Sequence, residues 1–321
     1  MRTITTLTLA ASVLILGASG ALAQSMPGYV IQEYATLNGP VEMTFDPTGV
    51  MYVGRDLVPS GQGNWADPTY IHQVGIGGTP VVEYGAVAIE DPDAVLYDTT
   101  GSISGVPGSV LVAGGSATSP GGRLWAIHPD QSVHLLYGPD LAMGNPNALA
   151  FDNNGRLLIG DDDGQVYEYV GGTPNLLFAA PDLGGGIAID PSNRIFNANI
   201  DGVIRLYDSD GTLLDGAFYT GLGTNRAAPI AIGPGGIWGN DLYTVHTQTG
   251  ELLRIDMFGN ATVIGTGFGD ADRITADIAF GPDGAMYVSF LDEDRIIRVI
   301  PEPSALALLL LGGLVAARRR T

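Results

Sequence analysis

Residues 277–288 read DIAFGPDGAMYV, an apolar strand ending in Phe280, a Gly-Pro-Asp-Gly reversal, and a second apolar strand. Gly, Pro and Asp supply the backbone angles that a tight reversal needs, so the stretch predicts an antiparallel strand pair. The same pattern returns as EMTFDPTGVMYV (42–53), ALAFDNNGRLLI (148–159), GIAIDPSNRIF (186–196) and PIAIGPG (229–235). A looser copy, AVLYDTTG (94–101), finds its second strand at Ser109–Ala113 after an inserted loop. The turn positions are Asp46, Asp98, Asp152, Asp190, Gly233 and Gly281, spaced 38 to 54 residues apart.

A third apolar strand follows most pairs, at Gln165–Val170, Val203–Tyr207, Leu252–Met257 and Arg295–Ile300. A fourth follows at Pro80–Tyr84, Val133–Tyr137, Asn175–Ala179 and Ala261–Gly265. Four short antiparallel strands per repeat of this length are the signature of a propeller blade. No long apolar pattern of helical period interrupts them. The last repeat has only three strands, and the alternating segment Tyr29–Ala35 is placed to supply its outer one. The expected fold is therefore an all-β, six-bladed β-propeller of four-stranded antiparallel blades over residues 24–300, closed by strand 29–35. Asp56–Thr69 and Ser102–Pro107 read as irregular insertions that leave open whether one blade is degenerate. Tyr52, Trp125, Tyr167, Tyr207 and Tyr287 fall at strand positions and are expected to pack between blades.

Composition excludes whole classes of function. The 321 residues carry 14 arginines, no lysine and 34 acids, a net charge of −20. Nucleic acid and anionic membrane surfaces are poor partners for such a chain, because phosphate binding needs clustered cations. Without cysteine there are no disulfides, thiol nucleophiles or Cys-based metal sites. G-x-S-x-G, P-loop and H-E-x-x-H patterns are absent as well.

Both ends read as addresses. Arg2, the apolar run 7–20 and Ala21-Leu22-Ala23 have the order of a secretory signal, with cleavage expected between Ala23 and Gln24. At the other end, Pro301-Glu302-Pro303 precedes an apolar helix-forming run, 304–317, and Arg318-Arg319-Arg320. The fourteen residues of this run fall short of the roughly 20 that cross a bilayer comfortably, and the arginines mark a cytoplasmic end. This arrangement resembles the PEP-CTERM sorting signal of Gram-negative bacteria. The resemblance implies signal peptidase and exosortase as partners, transient retention in the inner membrane by the C-terminal helix (301–321), and release to the cell surface or matrix. Between the two signals, 10 arginines face 33 acids.

Strand alternation puts the turns at Asp46, Asp152 and Gly281 on one face of the wheel. The first residues of the innermost strands, and the second-to-third strand loops, fall on the other. Glu42 and Asp277 occupy equivalent places on that face, with Asn147 and Asp93 one residue earlier in theirs. Its loops add Arg55-Asp56, Asp161–Asp163, Asn199, Asp201, His246 and Asp292–Asp294. Oxygen ligands converging on a channel mouth suit a hard cation, most naturally Ca²⁺. Solvated surface and hydrogen-bonded carboxylates are the competing readings of these acids.

The repeats, NALAFDNNG (147–155) and 277–288 above all, resemble the NHL / SMP-30 / gluconolactonase-like six-bladed propellers. That resemblance implies a divalent metal held by Glu42, Asn147 and Asp277, which match the family's axial ligands by type. The Glu-Gly-Pro motif of the family is absent, Gly39-Pro40-Val41 standing before Glu42. The leading expectation is an exported binding or matrix protein without catalytic residues, its partner an extracellular polysaccharide or small ligand. The alternative is a metal-dependent lactone or ester hydrolase. A third reading, a quinone-dependent sugar dehydrogenase, rests on His246 as catalytic base with Arg55 or Arg226.

Overall fold

A computed structural model of the chain describes residues 24–56, 68–115, 121–140, 143–224, 228–270 and 274–302. Within them lie six four-stranded antiparallel sheets and no α-helix. Blade 1 runs Pro40–Phe45, Met51–Arg55, Pro68–Val74 and Val81–Glu90 from the hub outward, and blade 2 Ala94–Asp98, Ser109–Gly114, Gly122–Ile127 and Val133–Asp140. Blade 3 is Pro146–Phe151, Leu157–Asp161, Gln165–Val170 and Thr173–Ala179, and blade 4 Gly184–Ile189, Ile195–Asn199, Val203–Tyr207 and Leu213–Thr220. Blade 5 follows as Ile230–Ile232, Leu242–Val245, Leu252–Ile255 and Ala261–Gly265. Blade 6 is Thr275–Phe280, Met286–Phe290, Arg295–Pro301 and, outermost, the N-terminal strand Tyr29–Thr36. The innermost strands touch one another in cyclic order, blade 6 meeting blade 1.

Burial explains why the second strands are the most apolar. MYVG (51–54), SVLVAG (109–114), LLIGD (157–161) and MYVSF (286–290) are buried at every position, because both faces of each sheet are covered by neighbouring blades. The hydrophobic core is accordingly six separate clusters, one between each pair of adjacent blades. Tyr52, Trp125, Tyr167, Tyr207 and Tyr287 all lie in them, as expected, and Tyr207 stacks on Phe178 with ring centroids 3.8 Å apart. No blade is degenerate. The segment read as an irregular insertion ends in a regular third strand, Pro68–Val74, and 57–67 lie outside the described residues.

Closure pairs Tyr29 with Pro301 and Thr36 with Arg295, and the Glu302 N–H donates to the Gly28 carbonyl at 2.9 Å. The first two residues of the Pro-Glu-Pro motif are thus part of the clasp. Ala23, Pro303, the run 304–317 and Arg318, Arg319 and Arg320 lie outside the described residues, as does Arg226. Among the described residues no helix is long and apolar enough to cross a membrane.

The repeated turn aspartates are structural. Oδ1 of Asp46 accepts the N–H groups of Thr48 and Val50, that of Asp152 those of Asn154 and Arg156, and that of Asp190 those of Ser192 and Arg194. Arg156 and Arg194 then close ion pairs at 2.7 Å on the second oxygens of Asp152 and Asp190. In blade 2, Asp98 organises the whole insertion. Its carboxylate accepts the N–H groups of Gly101, Ser102, Ile103 and Ser104 and the Ser104 hydroxyl, with the residue 1% exposed. Burial alone would raise its pKa, but the donors of Ser104, Ile103 and Ser102 outweigh burial and hold it below the usual carboxylate range.

Asp98→Ala should therefore destabilise the fold by about 2–4 kcal/mol in denaturant titration, since several buried donors lose a charged acceptor. A depressed folded-state pKa stabilises above the unfolded value of about 3.9 and is lost as pH falls through the folded value. The stability gap between wild type and Asp98→Asn should shrink as pH drops below about 4, and a gap that widens there contradicts this assignment. Deleting residues 24–36 should expose the edge of blade 6, and a chain that stays monomeric and melts as wild type does would disprove the clasp.

Candidate functional site

The hub is built by irregular strand starts. The inner strand of blade 1 slips register between Pro40 and Met43, that of blade 3 between Pro146 and Ala148, that of blade 4 between Gly184 and Ile187, and that of blade 6 between Thr275 and Asp277. A bulge leaves one or two residues out of the ladder and re-aims them. Val41 and Glu42, Asn147, Gly185 and Gly186, and Ala276 are the residues left out, and all of them line one axial cavity of about 240 Å³. Asp93 and Asp277 complete its polar side, while Ile187, Ala228, Pro229 and Ile230 form a small apolar wall on blades 4 and 5. A side chain at position 186 would strike the Ala228 carbonyl, with its Cβ only 2.7 Å from that oxygen, so glycine there keeps the wall open.

The axial acids bond across blades. Asp277 of blade 6 accepts the Met43 N–H of blade 1 at 2.8 Å and its own neighbour's, Ile278, at 2.7 Å. Glu42 of blade 1 accepts the Val95 N–H of blade 2 at 2.8 Å and the Leu149 N–H of blade 3 at 3.5 Å. These donors lie on the hub edges of the sheets, where no further strand can pair with them. Burial first, and then the Asp277 carboxylate, hold Glu42 well above its ordinary pKa against the pull of Val95 and Leu149. Burial likewise pushes Asp277 up to about 6 despite its two N–H donors. Asp93 is raised by burial and by the carboxylates of Asp91 and Asp56. The Asn147 amide oxygen is buried and has no hydrogen-bond partner.

The structure thus brings Glu42, Asn147 and Asp277 to one cavity, and adds Asp93. Their chemistry fits a hard cation: three carboxylates, an orphaned amide oxygen and, among the described residues, no arginine or histidine in the lining. The other residues singled out on this face have local duties. The His246 Nδ1 accepts the N–H groups of Gln248 and Thr249 in a turn of blade 5, and the ring is absent from the axial lining. Asn199 and Asp201 both accept from Arg205, and Asp201 forms an ion pair with it at 2.5 Å. Arg55 donates to the Asn38 carbonyl. Asp292 and Asp294 accept the N–H groups of Ile274 and Gly39, and Glu293 pairs with Arg295.

Asp161–Asp163 differ from that second acidic triplet. Their ligand oxygens lie within 4.8 Å of one another. Burial and the carboxylates of Asp161 and Asp163 raise Asp162 to about 6. Burial raises Asp161 too, against the N–H groups of Asp163, Gly144 and Asn145. The Asn145 amide bridges this cluster to the hub, bonding the carboxylates of Asp162 and Asp93. Sequence reading did not single out Asn145 or Asp91; neither lies in the repeat motif, and only the meeting of blades 1, 2 and 3 gives them neighbours.

No family model and no curated protein matches the chain by sequence. Solved structures do match by shape. A gluconolactonase from Xanthomonas campestris superposes with TM-score 0.61 at 11% identity, over 86% of this chain and 91% of that one. Virginiamycin B lyase from Staphylococcus aureus gives 0.58 at 13%, over 85% of this chain and all of the other. An oxidoreductase (glucose dehydrogenase) from Thermus thermophilus gives 0.59 at 15%, again over 85% of this chain and all of the other. At such identities the likeness is one of architecture: a six-bladed β-propeller with structural neighbours of the gluconolactonase and virginiamycin B lyase type.

Proposed function

We propose that this chain is an exported propeller that holds a divalent cation, most naturally Ca²⁺, in its axial cavity and binds a small oxygen-rich ligand against it. The observation that carries the reading is the convergence of Glu42, Asp277 and Asp93 with the unpartnered Asn147 oxygen on a cavity whose lining, among the described residues, holds no positive side chain. Like charges crowded into a poorly solvated space need a counter-ion, and oxygen-only donors select a hard one. Glu42, Asn147 and Asp277 would hold the ion, and its open side would accept hydroxyl or carbonyl oxygens. The apolar wall of Ile187, Pro229 and Ile230 is placed to receive the carbon face of the same ligand, such as one sugar unit of an extracellular polysaccharide.

Binding is preferred over catalysis because, among the described residues, the lining offers carboxylates already given to cross-blade hydrogen bonds or to the proposed ion and no histidine, hydroxyl or arginine beside them. Hydrolysis of a lactone or ester is the second reading. It is favoured by Asp93, a half-buried acid at the cavity with no place in the proposed ligand set, and by the gluconolactonase among the structural neighbours. A bound cation would supply polarisation of the carbonyl. The quinone-dependent reading has less support, since Nδ1 of His246 accepts two N–H groups of a turn and the ring stands outside the axial lining. For localisation, residues 1–23 would direct export, and Pro301-Glu302-Pro303 with the C-terminal run and arginines would direct retention and exosortase processing.

Saturating Ca²⁺ should raise Tm by several degrees over chelator, since a hundredfold excess over Kd is worth about 2.7 kcal/mol. Glu42→Gln should reduce that shift, and an equal shift in wild type and variant would remove the axial ion. A panel of small lactones should show no turnover above buffer; hydrolysis lost in Asp277→Asn would instead establish the enzyme. Deleting residues 301–303 should leave a C-terminally unprocessed chain in the membrane fraction, whereas unchanged mature mass would refute the sorting signal.

A further inference from the structure

The second-to-third strand loop of blade 3 carries a feature that the axial cavity does not absorb. Asp161 is 2% exposed, and its carboxylate meets the Asp163 N–H on Oδ1 at 2.9 Å and the N–H groups of Gly144 and Asn145, yet Oδ2 has no hydrogen-bond partner of its own. The Asp161 carboxylate lies against the Gly144 backbone. A Cβ at position 144 would sit 3.9 Å from Asp161 Oδ2, 3.6 Å from Asp161 Oδ1 and 3.3 Å from Asp163 Oδ2. A side chain there would press on all three oxygens, Asp163 Oδ2 most closely. Among the described residues no arginine pairs with Asp161, Asp162 or Asp163.

We propose that Asp161, Asp162 and Asp163 form a second, off-axis divalent-cation site, with the Gly144 backbone as its floor. Three carboxylates with ligand oxygens within 4.8 Å of one another can share one hard cation. Calcium, with its flexible coordination by roughly six to eight oxygens, suits a site half open to water. Asp163 is exposed, so water or a ligand hydroxyl completes the coordination from the open side. The loop is already set by its backbone, with the Asp162 N–H donating to the Asn145 carbonyl at 3.1 Å and the Gly164 N–H to the Asp161 carbonyl at 2.9 Å. An ion there ties the loop to the 144–147 segment, which delivers Asn147 to the axis.

Bound calcium per full-length chain, measured by equilibrium dialysis and elemental analysis after chelator treatment, tests this directly. Wild type should bind two ions, and Gly144→Ala one, because the methyl crowds the carboxylate oxygens that would hold the second. Position 144 does not have the left-handed backbone that would strain alanine, and a melt in chelator matching wild type verifies the fold. Asp163→Asn, at an exposed position, should also bind one and serves if Gly144→Ala fails to fold. Glu42→Gln reports on the axial ion separately. A chain that loses an ion through Gly144→Ala but not through Glu42→Gln keeps the off-axis site and removes the axial one. Equal stoichiometry in wild type, Gly144→Ala and Asp163→Asn would overturn the proposal.

Discussion

At the hub of this wheel six sheet edges meet with no further strand to pair with them. The N–H groups on those edges must find acceptors, and leaving one buried and unbonded costs about 1–3 kcal/mol. The chain meets the need with acids from neighbouring blades: Asp277 for Met43, Glu42 for Val95 and Leu149. The same solution creates an electrostatic problem, because the acceptors share one small cavity with Asp93 and repel one another. Structure and proposed function therefore have a common origin. The carboxylates that link the blades are the ones that call for a cation.

Ring closure and hub depend on each other. The clasp between Tyr29–Thr36 and Arg295–Pro301 holds blade 6 against blade 1, and only then do Asp277 and Glu42 become neighbours, more than two hundred residues apart in sequence. Blades 4 and 5 play the opposite part. Their glycines, alanine and proline leave the cavity open where the other four blades narrow it with polar groups. A pocket with an acidic half and an apolar half suits a ligand held by its oxygens on one side and its carbon skeleton on the other.

Much of the wheel was legible in the sequence because its signals are local. A turn such as GPDG or DPTG fixes a reversal wherever it stands, and an apolar run of five residues reads as a covered strand. The borrowed outer strand was legible from counting strands. The third strand of blade 1 was not, because 57–67 carry no pattern that announces it. Glu42, Asn147 and Asp277 could be placed on one face from strand alternation, but the bulges that turn Asn147 and Glu42 toward the axis leave no mark in composition or period.

The two acidic triplets show where sequence stops. Asp161–Asp163 and Asp292–Asp294 are nearly the same in letters and occupy equivalent loops. In blade 6 the acids are absorbed by the Ile274 and Gly39 N–H groups and by Arg295. In blade 3 an oxygen is left over above Gly144. Which fate an acid meets depends on the backbone that a distant segment brings beside it. The central claim, that crowded hub acids hold a cation, is tested most directly by an anomalous-difference map from crystals grown with Ca²⁺. A peak about 2.3–2.6 Å from oxygens of Glu42, Asp277 and Asn147 is the expected result. A hub containing only water, with those oxygens turned onto one another through shared protons, would contradict it.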